Sequence, residues 1–333
     1  MSFRLGSNHD AVPGSESCDW RGAGLRFFSR SLFWRNKFGQ KIWKVCLDAG
    51  LGCPHRNASG DIRGCIFCNP DSFSPSRRTP GGSITVQLDH GVARLQSRHN
   101  VDRFVAYFQS GTNTFGPAGR LRSLYEEALA HPAVVGLAIG TRPDCVGDEV
   151  LDLLATLAER TWLSLEFGLQ TIHARTLDWL RRGHDYAAFV DAVRRSQRRG
   201  LNVGAHVILG LPGESRDDMR ATAVELARLR IQSVKLHNLH AVRGTDLADL
   251  AAAGKVRFPE LAEYAGYVVD FLERLPPDCV IDRLSGDAPP DYLVAPLWCR
   301  EKSAVRAAIE AEFQRRNTWQ GKEYTALPSP RTD

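Results

Sequence analysis

The chain has 333 residues, 43% of them hydrophobic, and 43 basic against 38 acidic side chains give a net charge of +5. That length and apolar content predict one barrel-sized domain with a small extension rather than two equal domains, and the modest charge permits nucleic-acid binding without requiring it. No run of 18 apolar residues and no charged-then-apolar leader is present, so neither membrane insertion nor secretion is indicated, and the eight cysteines are expected in a reducing, cytoplasmic setting.

Residues 1–25 carry Gly, Ser, Pro and Asp with no apolar period and are read as a disordered leader. An aromatic and basic segment, 27–38, is expected to cap one end of the fold, followed by a first strand over 41–48. Basic groups gather at 21–44, at Arg181 and Arg182, and at 194–199; each is read as a solvated face. After the first strand come Cys53, Cys65 and Cys68, spaced Cys-x11-Cys-x2-Cys on a stretch where Gly60, Asp61 and Gly64 let the backbone curl. Three thiols facing one point form a metal pattern. A closed zinc site needs a fourth ligand, and the local candidates fit poorly: Cys46 lies in an apolar strand, and His55 is two residues from Cys53. An iron–sulfur cluster on three thiolates keeps one iron open. The spacing alone leaves zinc and cluster both standing.

Residues 69–85 are rich in Pro, Ser and Gly and read as a long loop or lid, and 88–97 has the polarity of a helix. Apolar runs then begin near 103, 134, 162, 202 and 233, about 30 residues apart, each interval holding one amphipathic helix. Leu121, Leu124, Tyr125 and Ala128 follow helical spacing, as do Val150, Leu151, Leu154 and Leu157. Counting the strand before the cysteines, the pattern predicts an α/β fold, a partial (β/α)6 TIM-like barrel over 26–245, with functional loops at the carboxyl ends of its strands. Residues 246–320 read as a small C-terminal α+β extension packed on the barrel, with a helix at 261–275, a strand at 279–284 and a helix at 304–313. The extension is expected to close the barrel mouth, the 285–287 turn and 288–296 reaching toward the pocket. The polar segment after Thr318, and 321–333 in particular, reads as a flexible tail.

The run Val45-Cys-Leu-Asp-Ala-Gly-Leu-Gly-Cys53-Pro54, followed by Cys65-Ile-Phe-Cys68, resembles the radical S-adenosylmethionine (SAM) superfamily. Within it, the chain resembles the YhcC-like family, related to the radical-SAM domain of the elongator catalytic subunit, over residues 30–320. The resemblance implies a [4Fe-4S] cluster on Cys53, Cys65 and Cys68, with SAM on the fourth iron. It implies an enzyme in which a reduced cluster cleaves SAM and a 5′-deoxyadenosyl radical abstracts hydrogen from a substrate, supplied with electrons by a reductant such as flavodoxin or ferredoxin. Elongator relatives act on transfer RNA, so RNA is a possible substrate by analogy. The alternative is a non-catalytic barrel stapled by metal that grips RNA or a protein.

Residue by residue, the resemblance places Phe67 beside the adenine. It gives the turn after the second strand, with Gln109, Thr112 and Asn113, to the SAM amino group, although Gly-Gly-Glu is absent there. It matches Gln170 to a ribose-binding glutamine and Arg182 to the arginine that pairs with the SAM carboxylate, a task suited to a planar guanidinium fork. His206 stands where relatives turn a polar residue toward SAM, and reads equally as a satisfied core histidine. Asp144 also fits as a cap for the following helix. Glu166, inside an apolar run, is expected to face the barrel interior and to have a partner, since an unpaired carboxylate there costs several kcal/mol. His237 and His240 are weaker candidates.

Overall fold

The structure, a computed structural model, describes residues 20–56, 64–75, 82–109 and 111–326. Its strands are β1 (Ile42–Leu47), β2 (Arg103–Phe108), β3 (Val134–Thr141), β4 (Trp162–Gln170), β5 (Asn202–Leu209), β6 (Ser233–Asn238), β7 (Ala241–Val242), β8 (Val280–Arg283) and β9 (Leu293–Ala295). The helices of six residues or more are α1 (Arg30–Phe38), α2 (Ile84–His99), α3 (Ala118–Ala130), α4 (Asp148–Ala158), α5 (Ala174–Trp179), α6 (Tyr186–Arg198), α7 (Arg216–Arg228), α8 (Asp246–Ala252), α9 (Leu261–Leu272) and α10 (Lys302–Arg315). Seven strands form one parallel sheet in the order β1-β2-β3-β4-β5-β6-β8. The sheet curls into a half-barrel that brings Lys44 on β1 within 3.3 Å of Asp282 on β8.

Strand parity decides which side chains meet the helices and which meet the interior, because successive residues of a strand point to opposite faces. On β4, Leu163, Leu165, Phe167 and Leu169 join the helix-covered core, and so do Val203, Ala205, Val207 and Leu209 on β5. The alternate positions, Ser164, Glu166, Gly168 and Gln170 with Gly204, His206 and Ile208, are left to the barrel interior. The same alternation on β1, β2 and β6 sends Lys44, Cys46, Tyr107, Lys235 and His237 inward. A half-barrel with an apolar outer face and a polar inner row is therefore written into these strands. The amino-terminal end of the interior is plugged as expected by α1, whose buried Trp34 packs with Ile42, Val105, Tyr107 and Ala138, with Phe33, Phe38 and Trp162 beside it.

Several boundaries differ from the sequence reading, each for a local reason. Helix α2 begins at Ile84, four residues early, because the Ser83 hydroxyl caps it by accepting from the Val86 N–H at 3.3 Å. The strand assigned to the extension is β8, which pairs with β6 and continues the main sheet. It covers an edge that would otherwise be open. The rest of the extension is tied in by β9, antiparallel to β7, and by α9 against α10 and α7.

The leader and tail expectations need correction at their inner ends. Trp20 is buried, and its Nε1–H donates to the Pro277 carbonyl at 2.9 Å. Gln320 is wholly buried: its Oε1 accepts from the Phe28 N–H at 2.9 Å, and its Nε2 donates to Pro276 O at 2.6 Å and Cys279 O at 2.8 Å. Gly321 N and Glu323 N donate to Leu272 O and Glu273 O. Polar composition suggested mobility, but one buried amide with three long-range partners ties the segment to the sheet end. Residues 1–19 and 327–333, and much of the expected lid at 76–81, lie outside the described residues. Among the described residues no helix is long and apolar enough to cross a membrane.

Truncation after about residue 250 removes β8, α9 and α10 together. It uncovers the β6 edge and the core surface against which Val268, Phe271 and Leu272 are buried. The truncated protein is expected to aggregate in size-exclusion chromatography; a monomeric product with native circular dichroism would show that the extension is detachable.

Candidate active site

A cavity of about 710 Å³ opens among the carboxyl ends of the strands, within the range typical of ligand sites. Cys53, Cys65 and Cys68 all line it. Cys53 follows β1 directly, and its loop is held by backbone contact with the loop after β2, where Thr112 N donates to Gly52 O at 2.7 Å. Gly111 makes that approach possible: its φ is +75°, and a Cβ there would sit 2.3 Å from Gly52 O. The Cys65–Cys68 turn is pinned from both sides, Ile66 N donating to Leu180 O at 3.2 Å and Leu247 N donating to Ile66 O at 2.9 Å. Burial, then the neighbouring Cys65, pushes the Cys68 thiol up to about 12.

Arg182 joins the cysteines to β4. Its NH1 donates to Cys65 Sγ at 3.1 Å and its NH2 to Gly168 O at 2.6 Å, while its Nε is buried with no partner. Gly168 leaves the room for this, since a Cβ there would lie 2.9 Å from Arg182 NH2 and from Gln170 Nε2. Gln170 has a left-handed φ of 77° at a register irregularity between β4 and β5, and lines the cavity. Gln109, Thr112, His206 and Phe67 line it too. Gln109 accepts from Cys46 Sγ at 3.3 Å, and the Thr112 hydroxyl is buried without a partner. Phe67 rests on an apolar cluster of Ile66, Leu180, Ile208, Leu211 and Leu239, which brings in the turn after β5.

Asn113 does not reach the cavity. Its Nδ2 donates to Phe108 O at 3.0 Å and Gly140 O at 2.8 Å, so the amide clips β2 to β3 while the neighbouring Thr112 takes the cavity position. Asp144 caps no helix; both its oxygens accept from Arg142, at 3.0 and 2.8 Å.

Below the cavity, Glu166 is 1% exposed and has the partners its burial demanded. Lys44 Nζ lies 2.5 Å from Oε1 and Lys235 Nζ 3.8 Å from Oε2, with His206 Nε2 2.8 Å from Oε2. Burial alone would raise the Glu166 carboxyl, but Lys44 and Lys235 outweigh it and hold it well below the usual range. Burial, then Lys235, lowers His206 to about 4. An ionised carboxylate only accepts, so neutral His206 carries its proton on Nε2 and keeps Nδ1 as an acceptor. Burial also brings Lys235 down to about 7 against the opposing pull of Glu166, and its Nζ donates to the Tyr107 hydroxyl at 2.6 Å. The sequence reading missed Lys44, Tyr107, Lys235 and Arg283; the parity that faces Glu166 inward also faces the first three inward.

The donor set suits the groups implied by the motif. Cys53, Cys65 and Cys68 line the same cavity as the residues bearing the unpartnered Arg182 Nε, Thr112 Oγ1 and Arg142 NH1, a donor set whose chemistry suits a sulfur-held cluster beside a polar ligand. Among the described residues, no three His, Cys, Asp or Glu side chains are grouped to hold a single metal ion.

The half-barrel and the cavity lined by Cys53, Cys65 and Cys68 point to a protein of the radical SAM type. The family model for the radical SAM superfamily matches residues 50–226, and one for the radical SAM C-terminal domain matches 231–315. The chain belongs to the radical SAM superfamily. It is 37% identical over 302 residues to the uncharacterized protein YtqA of Bacillus subtilis (strain 168), covering 91% of this chain and 94% of that protein. It is 39% identical over 267 residues to YhcC of Escherichia coli (strain K12), covering 80% and 85%. In structure it is similar to the archaeal Methanocaldococcus infernus Elp3 with an N-terminal deletion, at a TM-score of 0.63 and 17% identity, over 84% of this chain and 64% of that one.

Proposed function

We propose that this protein is a radical SAM enzyme with Cys53, Cys65 and Cys68 as the cluster ligands. The observation that carries the reading is that these thiols line one cavity together with Arg182 and Thr112, each of which holds a buried polar atom without a partner. Held there, a reduced [4Fe-4S] cluster and SAM would supply a one-electron cleavage of the sulfonium, giving methionine and 5′-deoxyadenosine, the latter carrying the hydrogen atom removed from the substrate, which is left as a radical. A one-electron donor such as flavodoxin or ferredoxin is required, and RNA is among the possible substrates.

The chain's own residues bind, orient and exclude water. Phe67, backed by Ile208 and Leu239, offers an apolar face to the adenine. Gln170 offers an amide to the ribose, and Gln109 and Thr112 offer neutral acceptors to the ammonium group. Arg182 binds the carboxylate through the side of its guanidinium left free by Cys65 and Gly168. Neutral His206, held by Glu166, presents Nδ1 as an acceptor without adding a second cation beside the sulfonium.

Metal analysis after anaerobic reconstitution separates this reading from a zinc-stapled binding module. About four iron and four sulfide per chain are expected; stoichiometric zinc without iron would favour the module. Arg182→Lys is expected to weaken SAM binding by about 1–3 kcal/mol, because a point ammonium does not reproduce a forked contact. Calorimetry on wild type and variant at equal iron content measures this. Unchanged affinity would remove Arg182 from the SAM pocket.

A further inference from the structure

Among the described residues the cavity wall carries five arginines, Arg56, Arg142, Arg182, Arg283 and Arg300, against two carboxylates, Glu166 and Asp287. Both carboxylates are engaged elsewhere, Glu166 with Lys44 and His206, and Asp287 with Lys302 at 2.8 Å. Arg142 is matched by Asp144, and Arg182 by Cys65 and Gly168. Arg283, on β8, has no such match: no carboxylate of the described residues lies within ion-pair distance of it, and its Nε is buried without a partner. Its NH2 lies 2.6 Å from His237 Nδ1 on β6. Burial, then Arg283 itself, holds His237 well below its ordinary value, so the ring is neutral, and the nearest opposing charge on the guanidinium is Asp287, which acts from beyond ion-pair distance while bound to Lys302.

The surrounding chain is packed to keep this group in place. A Cβ at Gly286 would lie 3.1 Å from His240 Cε1, 3.2 Å from His237 Nδ1 and 3.4 Å from Arg283 NH2, a tight fit that any side chain would ease only by shifting these groups. The Gly286 N–H donates to Asn238 Oδ1 at 2.9 Å, locking the turn after β8 to the end of β6. Exposed Arg300 stands at the rim. A guanidinium held on a cavity wall without a carboxylate in ion-pair distance is costly unless something it binds offsets the charge, and its planar fork meets two oxygens of a carboxylate or phosphate.

We propose that Arg283, with His237 and His240 beside it and Arg300 at the rim, docks an oxyanion of the substrate, a phosphate or carboxylate group, on the β6–β8 side of the cavity. The inference rests on the reading of this cavity as the active site of a radical SAM enzyme, whose SAM-facing candidates come largely from β2, β4 and the loops after them. It narrows the substrate to a molecule that carries a compact negative group.

The test titrates anaerobically reconstituted protein with inorganic phosphate and, separately, with acetate, at ionic strength held constant with sodium chloride. At least one is expected to bind saturably, to bind about tenfold or more weakly to Arg283→Gln, and to bind equally well in saturating SAM. Phosphate alone binding indicates a phosphorylated substrate, and acetate alone a carboxylate. Selenate soaked into wild-type crystals needs no variant and is expected to give an anomalous peak against the Arg283 guanidinium. Absence of saturable binding of either anion, binding unchanged in Arg283→Gln, a selenate peak only elsewhere, or displacement of the anion by SAM would each overturn the proposal. Iron content and 5′-deoxyadenosine formation by the same wild-type preparation report on the enzyme reading separately, so failure of one reading is distinguishable from failure of the other.

Discussion

Cys53→Ala, Cys65→Ala and Cys68→Ala are each expected to lose most of the iron from anaerobically reconstituted protein and to abolish SAM cleavage. A cluster held by three thiolates has no protein ligand in reserve, and even loss of an outer-sphere partner typically weakens metal binding about 10–100-fold. Cys65 is the most demanding of the three positions, since it is buried and accepts from Arg182 NH1. Cys46→Ser is the control. Cys46 also lines the cavity, but it lies within β1, where its thiol donates to Gln109, and burial raises its pKa so that it remains a thiol. Its iron content is expected to equal that of wild type. Loss of iron from Cys46→Ser, or retention by any of the other three variants, measured by iron and sulfide analysis with the visible charge-transfer band, would reassign the ligands.

The second large effect is on stability. Glu166→Leu leaves Lys44 and Lys235 inside the half-barrel without their shared carboxylate, and removing one partner of a buried ion pair costs about 3–5 kcal/mol. Urea denaturation at pH 7 measures it, and a change within about 0.5 kcal/mol would show that water already satisfies the interior. The pH dependence has a defined sign. The folded pKa of Glu166 lies below its unfolded value of about 4.3, so the contribution is fully present above that pH and is lost as pH falls through the folded value. Lys235, brought to about 7 by burial against the pull of Glu166, charges in the window below neutral pH, so the stability gap between wild type and Glu166→Leu is expected to widen from neutral pH down to about 5 and to close only under more acidic conditions.

Much of this architecture was legible because each strand announces itself twice, by its apolar run and by the interval of about 30 residues to the next. The cysteine loop was legible because its ligands are local in sequence. Glu166 was legible as a paired interior group, since an acid inside Leu-Glu-Phe has few other places to go. Its partners were not, because Lys44 lies 122 residues away and Lys235 reads as one polar residue in an apolar strand. That Asn113, unlike the equally expected Thr112, turns away from the cavity depends on which side chain meets the carbonyls of Phe108 and Gly140, a detail of turn geometry that neighbouring polar residues do not signal. Arg283 escaped notice because its strand looked like part of an appendage; only its pairing with β6 carries it to the cavity wall. Gln320 likewise has no periodic neighbours, and its three hydrogen bonds reach back across the chain to Phe28, Pro276 and Cys279.

The central claim, that this cavity performs reductive cleavage of SAM, is tested most directly by incubating anaerobically reconstituted protein with SAM and dithionite and quantifying 5′-deoxyadenosine. 5′-Deoxyadenosine and methionine are expected in equal amounts, dependent on the reductant and absent from Cys65→Ala. A cluster-loaded wild-type protein that forms no 5′-deoxyadenosine under reducing conditions, with or without extract supplying candidate substrates, would contradict it.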